Sequence, residues 1–177
     1  MYVKILKEAG YEEALLGLSL SYNVPDITRV VEVANKLCQK DGGHNKFLES
    51  MIVWVDIDAP RYWWAEFDTY RVGITKQSES TMHTLMKREL IESDFVEGVL
   101  PGVIDEVNRC IRKKDFMEAK INLPEGFLQR RIVMLSYKSI RHIIFQRHNH
   151  RLKEWHIFVD RMYEGIMYPE FLPLVPD

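Results

Sequence analysis

Two cysteines in 177 residues are too few and too far apart for a disulfide framework or a thiolate metal site. Cys38 and Cys110 stand in no C-x-x-C arrangement, which points to structural thiols in a reducing compartment. No uninterrupted apolar run approaches the about 18 residues of a membrane span. The amino-terminal stretch MYVKILKEAGYEEA has no basic region leading into a long apolar one, so no signal peptide is expected and the expected location is the cytoplasm. Repeats, low-complexity tracts and linker-like segments are lacking as well, which leaves one domain spanning residues 1–177 as the expectation. A surplus of one charge is also missing, with 24 Lys and Arg against 26 Asp and Glu. That balance conceals an asymmetry, because basic residues outnumber acidic ones from Arg109 to Lys153. Such a local excess suits a small anionic ligand as well as it suits a nucleic acid.

What is present reads as an α/β chain. Tyr2 to Leu6 alternates as a short strand, and Asp26 to Gln39 repeats apolar residues at helical spacing after Pro25, with Asp26 as its cap. Asp41, Gly42 and Gly43 end that helix, and a helical turn is expected over Asn45 to Ser50. The run from Met51 to Ala59 is the clearest strand, closed by Pro60. RYWWAEFDTY then begins a helix directly after a proline, and its aromatic side chains need a core or a subunit interface. Arg71 to Thr84 is polar and poorly periodic, and is expected to be an ordered loop. Helices are expected over Ile104 to Lys114, Phe116 to Lys120 and Leu152 to Ile166, with a break at Asn122 to Pro124 and a Pro-rich tail.

The segment from Gly126 to Arg147 can be read as one long helix. At 100° per residue, Ile132, Val133, Ser136, Ile140, Ile143, Ile144 and Arg147 share one side, while Arg130, Arg131, Lys138, Arg141 and His142 share the other. The basic side is either a solvated surface or, because Met134 and Phe145 lie on it, a packed seam holding cations. Arg147 closes the apolar stripe, and a permanently charged guanidinium there needs an anion, either a core carboxylate or a ligand. Arg151, His148 and His150 extend this cationic end. No Cys, Asp or Glu joins the histidines at ligand spacing, so no metal is expected.

Six segments occur in a telling order: GHNKFLES at 43–50, DIDAP at 56–60, YRVG at 70–73, SES at 78–80, AKINLP at 119–124 and SYKSIRHIIFQR at 136–147. Together they resemble the flavin-dependent thymidylate synthases. The match runs without a gap from Gly43 to Arg71 and from Ala119 through Arg151, and is loose at the amino terminus and from Leu85 to Asp115. The resemblance implies an α/β (α+β) subunit with a central sheet, in a homotetramer whose active sites lie between chains and bind flavin adenine dinucleotide (FAD). It implies that a one-carbon unit passes from methylenetetrahydrofolate to C5 of a pyrimidine deoxynucleotide such as dUMP. It further implies that the hydride comes from reduced flavin recharged by NADPH and that no cysteine nucleophile is used.

Position by position, the resemblance makes His44, Arg71, Ser136, Lys138, His142 and Arg151 candidate flavin contacts, with Glu49 matching an acidic residue beside His44. It makes Arg147, Lys120, Ser78, Glu79 and Ser80 candidate nucleotide contacts. The departures are also specific. Thr69, Tyr70 and Arg71 stand where the family has Arg-His-Arg, and SESTMH does not superpose on the family's serine run without a one-residue shift. Lys120 and Lys138 replace arginines, so a bidentate fork becomes a point charge. Three readings follow: an altered flavin-dependent enzyme, a nucleotide- and flavin-binding module without catalysis, and, weakest, a nucleic-acid binder. Binding is the safer expectation, because the 136–147 segment keeps the pattern better than the 69–80 segment.

Overall fold

The computed structural model describes residues 1–23, 27–40 and 43–174. Four strands, β1 (Tyr2–Ala9), β2 (Ile52–Pro60), β3 (Ile74–Ser78) and β4 (Leu128–Ser136), form one sheet in the order β1-β2-β4-β3. The helices are α1 (Tyr11–Tyr22), α2 (Ile27–Leu37), α3 (Arg61–Phe67), α4 (Thr81–Thr84), α5 (Pro101–Arg112), α6 (Phe116–Ile121), α7 (Tyr137–Arg147) and α8 (Lys153–Gly165). Pro25, Asp26, Asp41 and Gly42, expected to bound α2, lie outside the described residues, as does the end of the tail. No helix among the described residues is long and apolar enough to cross a membrane.

The strand expected at Met51 to Ala59 is β2. Val53, Val55, Ile57 and Ala59 are fully buried, and Asp56 between them is nearly so, as a strand with sheet neighbours on both edges requires. The turn at Asn45 to Ser50 is a 3-10 turn over Lys46–Glu49. The expectation of one long helix from Gly126 is overturned, because its first half is β4. Ile132 and Val133 fit a helical stripe, but Val133 and Leu135 are fully buried while Ile132 between them is 36% exposed, which is the two-residue period of a strand. The β-branched pair suits extended backbone, and a neighbouring strand supplies the backbone partners that a helix would have found within itself. The loop expected over Arg71 to Thr84 is overturned for the same reason. Its middle is β3, and backbone bonds tie that stretch to β4, from Ser136 N to Gly73 O (2.9 Å) and from Glu79 N to Arg130 O (2.9 Å).

By chain contacts the residues form two compact units. The first comprises Met1–Tyr2, Ile57–Thr69 and Gln77–Arg131. Its apolar core gathers Leu90, Phe95, Ile104, Val107, Cys110 and Phe127. Trp63, Trp64 and Phe67 of α3 are buried in this unit, so the aromatic run finds a core within the chain. Asn108 holds the segment before α5 by exchanging two bonds with the backbone of Leu90, at 2.7 and 2.8 Å. Arg131, expected on a basic helix face, instead lies over the Trp64 ring at 4.2 Å and binds the Asp68 carboxylate at 3.0 Å. The continuous basic face built on Arg130, Arg131, Lys138, Arg141 and His142 therefore does not form.

The second unit comprises Val3–Asp56, Tyr70–Lys76 and Ile132–Asp177. Here α7 buries Tyr137, Ile140, Ile143 and Ile144, spaced three and four apart, so the helical stripe is real from Tyr137 onward. The Tyr137 hydroxyl donates to Glu8, whose other carboxylate oxygen accepts from Met167 N–H at 2.7 Å. Burial, then the neighbouring carboxylate, pushes the Tyr137 phenol far above its usual range, so it stays a donor at any physiological pH. Burial also raises the thiols of Cys38 and Cys110, in keeping with structural cysteines. Tyr137→Phe leaves the Glu8 carboxylate short of a donor and should lower the unfolding free energy by about 1–3 kcal/mol. Urea denaturation monitored by tryptophan fluorescence reads this, and an unchanged midpoint would mean the bond contributes nothing.

Candidate functional site

In the second unit the chain turns from strand to helix at Ser136, and this junction organises the surrounding residues. Ser136 is buried, and its hydroxyl caps α7 by accepting from Ser139 N–H at 3.1 Å and pairing with the Ser139 hydroxyl at 2.8 Å. The Ser139 hydroxyl in turn donates to Val72 O at 2.7 Å. These bonds hold the turn 71–73 against the start of α7. Gly73 makes the close approach possible: its φ is +65°, and a Cβ there would lie 2.7 Å from both serine oxygens. Arg71 and Val72 are thereby presented to solvent.

In the first turn of α7, Lys138 meets Glu49 of the 3-10 turn at 2.6 Å, so two residues far apart in sequence are brought together. Both are substantially exposed, and such a pair contributes little to stability. His44 and Lys46 line an open cavity of about 380 Å³ whose other walls include Leu18 of α1 and Phe47. His142 is exposed, with its ring 6.0 Å from that of Tyr70 in an edge-on arrangement. Arg151 is exposed beyond the end of α7.

Arg147 ends α7 half-buried. Its Nε donates to the Tyr70 hydroxyl at 2.8 Å, and its guanidinium carbon lies 4.8 Å from the Trp155 ring centre and 5.6 Å from that of Tyr70. The Tyr70 hydroxyl donates its own proton to Gln146 Oε1 at 2.9 Å. An arginine between aromatic faces keeps its charge at a lower desolvation cost than in an aliphatic core.

The first unit holds the other candidates. β3 ends at Ser78, Glu79 bonds through its backbone to Arg130 and Gln129, and Ser80 precedes α4, its carbonyl accepting from the Thr84 hydroxyl at 3.0 Å. Lys120, on α6, donates to the hydroxyl of Thr81. Lys120 therefore stands beside the end of the Ser78–Ser80 run. Burial, and to a lesser degree the charge of Arg61, lowers the Lys120 pKa. An anion placed there would act in the opposite sense and favour its charged form.

No family model and no curated protein sequence matches the chain. Solved structures do. The chain superposes on the flavin-dependent thymidylate synthase ThyX of Helicobacter pylori, in a crystal structure complexed with FAD and dUMP, with a TM-score of 0.80. That match covers 97% of this chain and 98% of that one at 14% identity. A second structure of the H. pylori enzyme with FAD and dUMP gives 0.78 over 94% and 93%, again at 14% identity. The fold is that of a flavin-dependent thymidylate synthase.

Within this thymidylate synthase fold, the residues named from the sequence fall into two groups. His44, Arg71, Ser136, Lys138, His142, Arg147 and Arg151 belong to the second unit, and Ser78, Glu79, Ser80 and Lys120 to the first. Sequence reasoning did not single out Trp155, Gln146, Ser139 or Thr81. Trp155 and Gln146 become visible only through their contacts with Arg147 and Tyr70, whereas Ser139 could have been read from the capping pair Ser136–Ser139. Among the described residues, Glu106, Cys110 and Glu118 are grouped closely enough to suggest a metal. The Arg109 guanidinium sits among them, 2.5 Å from Glu106 and 3.1 Å from Glu118, and supplies the positive charge. The His148 ring faces the carbonyl of Phe145 in the last turn of α7, and the His150 ring accepts from Leu152 N–H in the turn that follows. Gly73→Ala should destabilise the protein by about 1–3 kcal/mol through its backbone conformation and the serine contacts. Thermal and urea unfolding report it, and a stability equal to wild type would show that the 71–73 turn rearranges freely.

Proposed function

We propose that this protein is a divergent flavin-dependent thymidylate synthase, acting in the cytoplasm as a homotetramer with sites assembled between chains. It adds a one-carbon unit to C5 of a pyrimidine deoxynucleotide, dUMP or a close relative. The reading is carried by the superposition over nearly the whole of both chains with proteins solved in complex with FAD and dUMP. Arg147 as a half-buried arginine on the matching helix supports it. The coarser part, a flavin- and nucleotide-binding protein of this fold, does not depend on the altered Thr69-Tyr70-Arg71 signature.

The donor set fits FAD in kind. Arg71, His142 and Arg151 are exposed, Lys138 is partly so, and His44 lines a cavity, so these five would hold the cofactor and its pyrophosphate. Ser136 is different: its buried hydroxyl is spent on Ser139, and its role is to shape the turn that carries Arg71. Bound FAD, reduced by NADPH, would supply the hydride, and methylenetetrahydrofolate the carbon. The proposed nucleotide contacts are two separate groups, Arg147 in the second unit and Lys120 with Ser78, Glu79 and Ser80 in the first. Cations and hydroxyl donors there would orient the nucleotide and stabilise negative charge developing on the pyrimidine as C5 becomes nucleophilic.

A second reading, binding without catalysis, is favoured by one observation. The Arg-His-Arg position holds Tyr70, whose hydroxyl is committed to Arg147 and Gln146. Purified protein incubated with FAD should become yellow and keep the cofactor through gel filtration, and dUMP should perturb its absorbance near 450 nm, on the order of the flavin band expected for such a cofactor. Protein that remains colourless overturns the proposal. If flavin is retained but no thymidylate forms with methylenetetrahydrofolate and NADPH, the second reading replaces the first. Arg147→Ala should weaken dUMP binding by about 10- to 100-fold, the value of one or two hydrogen bonds to a charged group. Isothermal titration calorimetry measures it.

A further inference from the structure

Tyr70 is a buried side chain, 8% exposed, in a segment whose neighbours Arg71 and Val72 are exposed. Its ring stands edge-on to Trp155 at 6.1 Å and to His142 at 6.0 Å, and Trp155 is itself fully buried against Phe158. These contacts fix the ring, and Gln146 fixes the hydroxyl. Because Gln146 Oε1 takes the phenolic proton at 2.9 Å, a lone pair of the oxygen is what meets Arg147 Nε at 2.8 Å. The guanidinium is thus held at one nitrogen by a hydroxyl of defined polarity, with the indole of Trp155 4.8 Å away and the phenol ring at 5.6 Å.

An arginine side chain ordinarily loses rotamer freedom when it grips a ligand, and a grip formed in advance removes that cost. Bidentate recognition depends on the plane of the guanidinium as well as on its position. The hydroxyl and the two rings are among the contacts that set that plane. We propose that Tyr70 is a positioning residue which, together with Trp155, presets the Arg147 guanidinium to receive an anionic or carbonyl oxygen of a pyrimidine nucleotide. This rests on the nucleotide-binding reading above. It gives Tyr70 a role in binding at the position where the resemblance to the family breaks.

The test is a double-mutant cycle in dUMP affinity, measured calorimetrically on the whole chain for wild type, Tyr70→Phe, Arg147→Lys and the double variant. Tyr70→Phe keeps the ring and removes the acceptor, and should weaken dUMP about tenfold, in line with one hydrogen bond to a charged group. Arg147→Lys has no Nε donor, so in that background the same change should cost less than about twofold. A side chain that only supported the fold would lower the melting temperature of the unliganded protein and leave affinity alone. Equal dUMP affinity of wild type and Tyr70→Phe overturns the positioning role while leaving the nucleotide reading intact, and so does an equal loss in both backgrounds. Wild-type protein that binds no dUMP overturns both. Should Tyr70→Phe fail to fold, the Nε–H resonance of Arg147 in the wild-type chain, assigned by its loss in Arg147→Lys, decides. A slowly exchanging signal that shifts with dUMP supports the inference, and a fast-exchanging one overturns it.

Discussion

The junction at Ser136, where β4 becomes α7, is the constraint on which the second unit's site depends. A strand delivers the backbone to a fixed place in a sheet, and a capped helix leaves that place in a fixed direction. Ser136 does both at once, pairing its backbone N–H with Gly73 O and its hydroxyl with the first turn of α7. Every residue on α7 inherits its position from this point. Lys138 reaches Glu49, His142 lies beside Tyr70, and Arg147 ends between two aromatic rings because the helix starts where it does. Gly73 is the complement of that arrangement, since only the absence of a side chain lets the 71–73 turn lie against the two serines.

A second theme is how the chain disposes of its cations. The local basic excess from Arg109 onward reads in one dimension as a stripe, but in the folded chain its members are handled one by one. Arg109 bridges two glutamates, Arg131 lies over Trp64 beside Asp68, Lys138 pairs with Glu49, and Arg141 donates to the backbone of Phe171 at 2.6 Å. Scattered and individually partnered charges suit recognition of small anions better than they suit an extended polyanion, whose affinity depends on many phosphates being met together. Arg147 has aromatic and hydroxylic contacts as well, to Trp155 and Tyr70.

The resemblance in six short segments and the superposition of the whole chain support each other by independent routes. The segments sit on β2, on the turn before α2's successor strand, on the 70–80 stretch, on α6 and on α7, which are the parts that carry the candidate residues. At 14% identity most positions differ while the backbone arrangement is shared. Core positions accept many apolar side chains of suitable volume, whereas positions such as Gly73 and Ser136 are bound by backbone geometry. Where the resemblance would place a histidine, Tyr70 makes a contact to Arg147.

From the sequence alone came β2, whose nearly continuous apolar run admits one reading, the apolar stripe of α7 at Ile140, Ile143 and Ile144, the helices expected over Ile104 to Lys114 and Phe116 to Lys120, and the suspicion about Arg147. Each rests on a period or a cap contained within a dozen residues. β4 and β3 were decided only by tertiary structure, because Ile132 and Val133 satisfy a helical and a strand period equally and the polar 74–78 stretch satisfies neither. What selects the strand is a hydrogen-bonding partner, and the partners of β4 lie about 50 to 75 residues away along the chain. The surroundings of Arg147 were hidden for the same reason. Tyr70 and Gln146 are separated by 76 residues, and no local pattern connects them until the sheet and α7 bring them together.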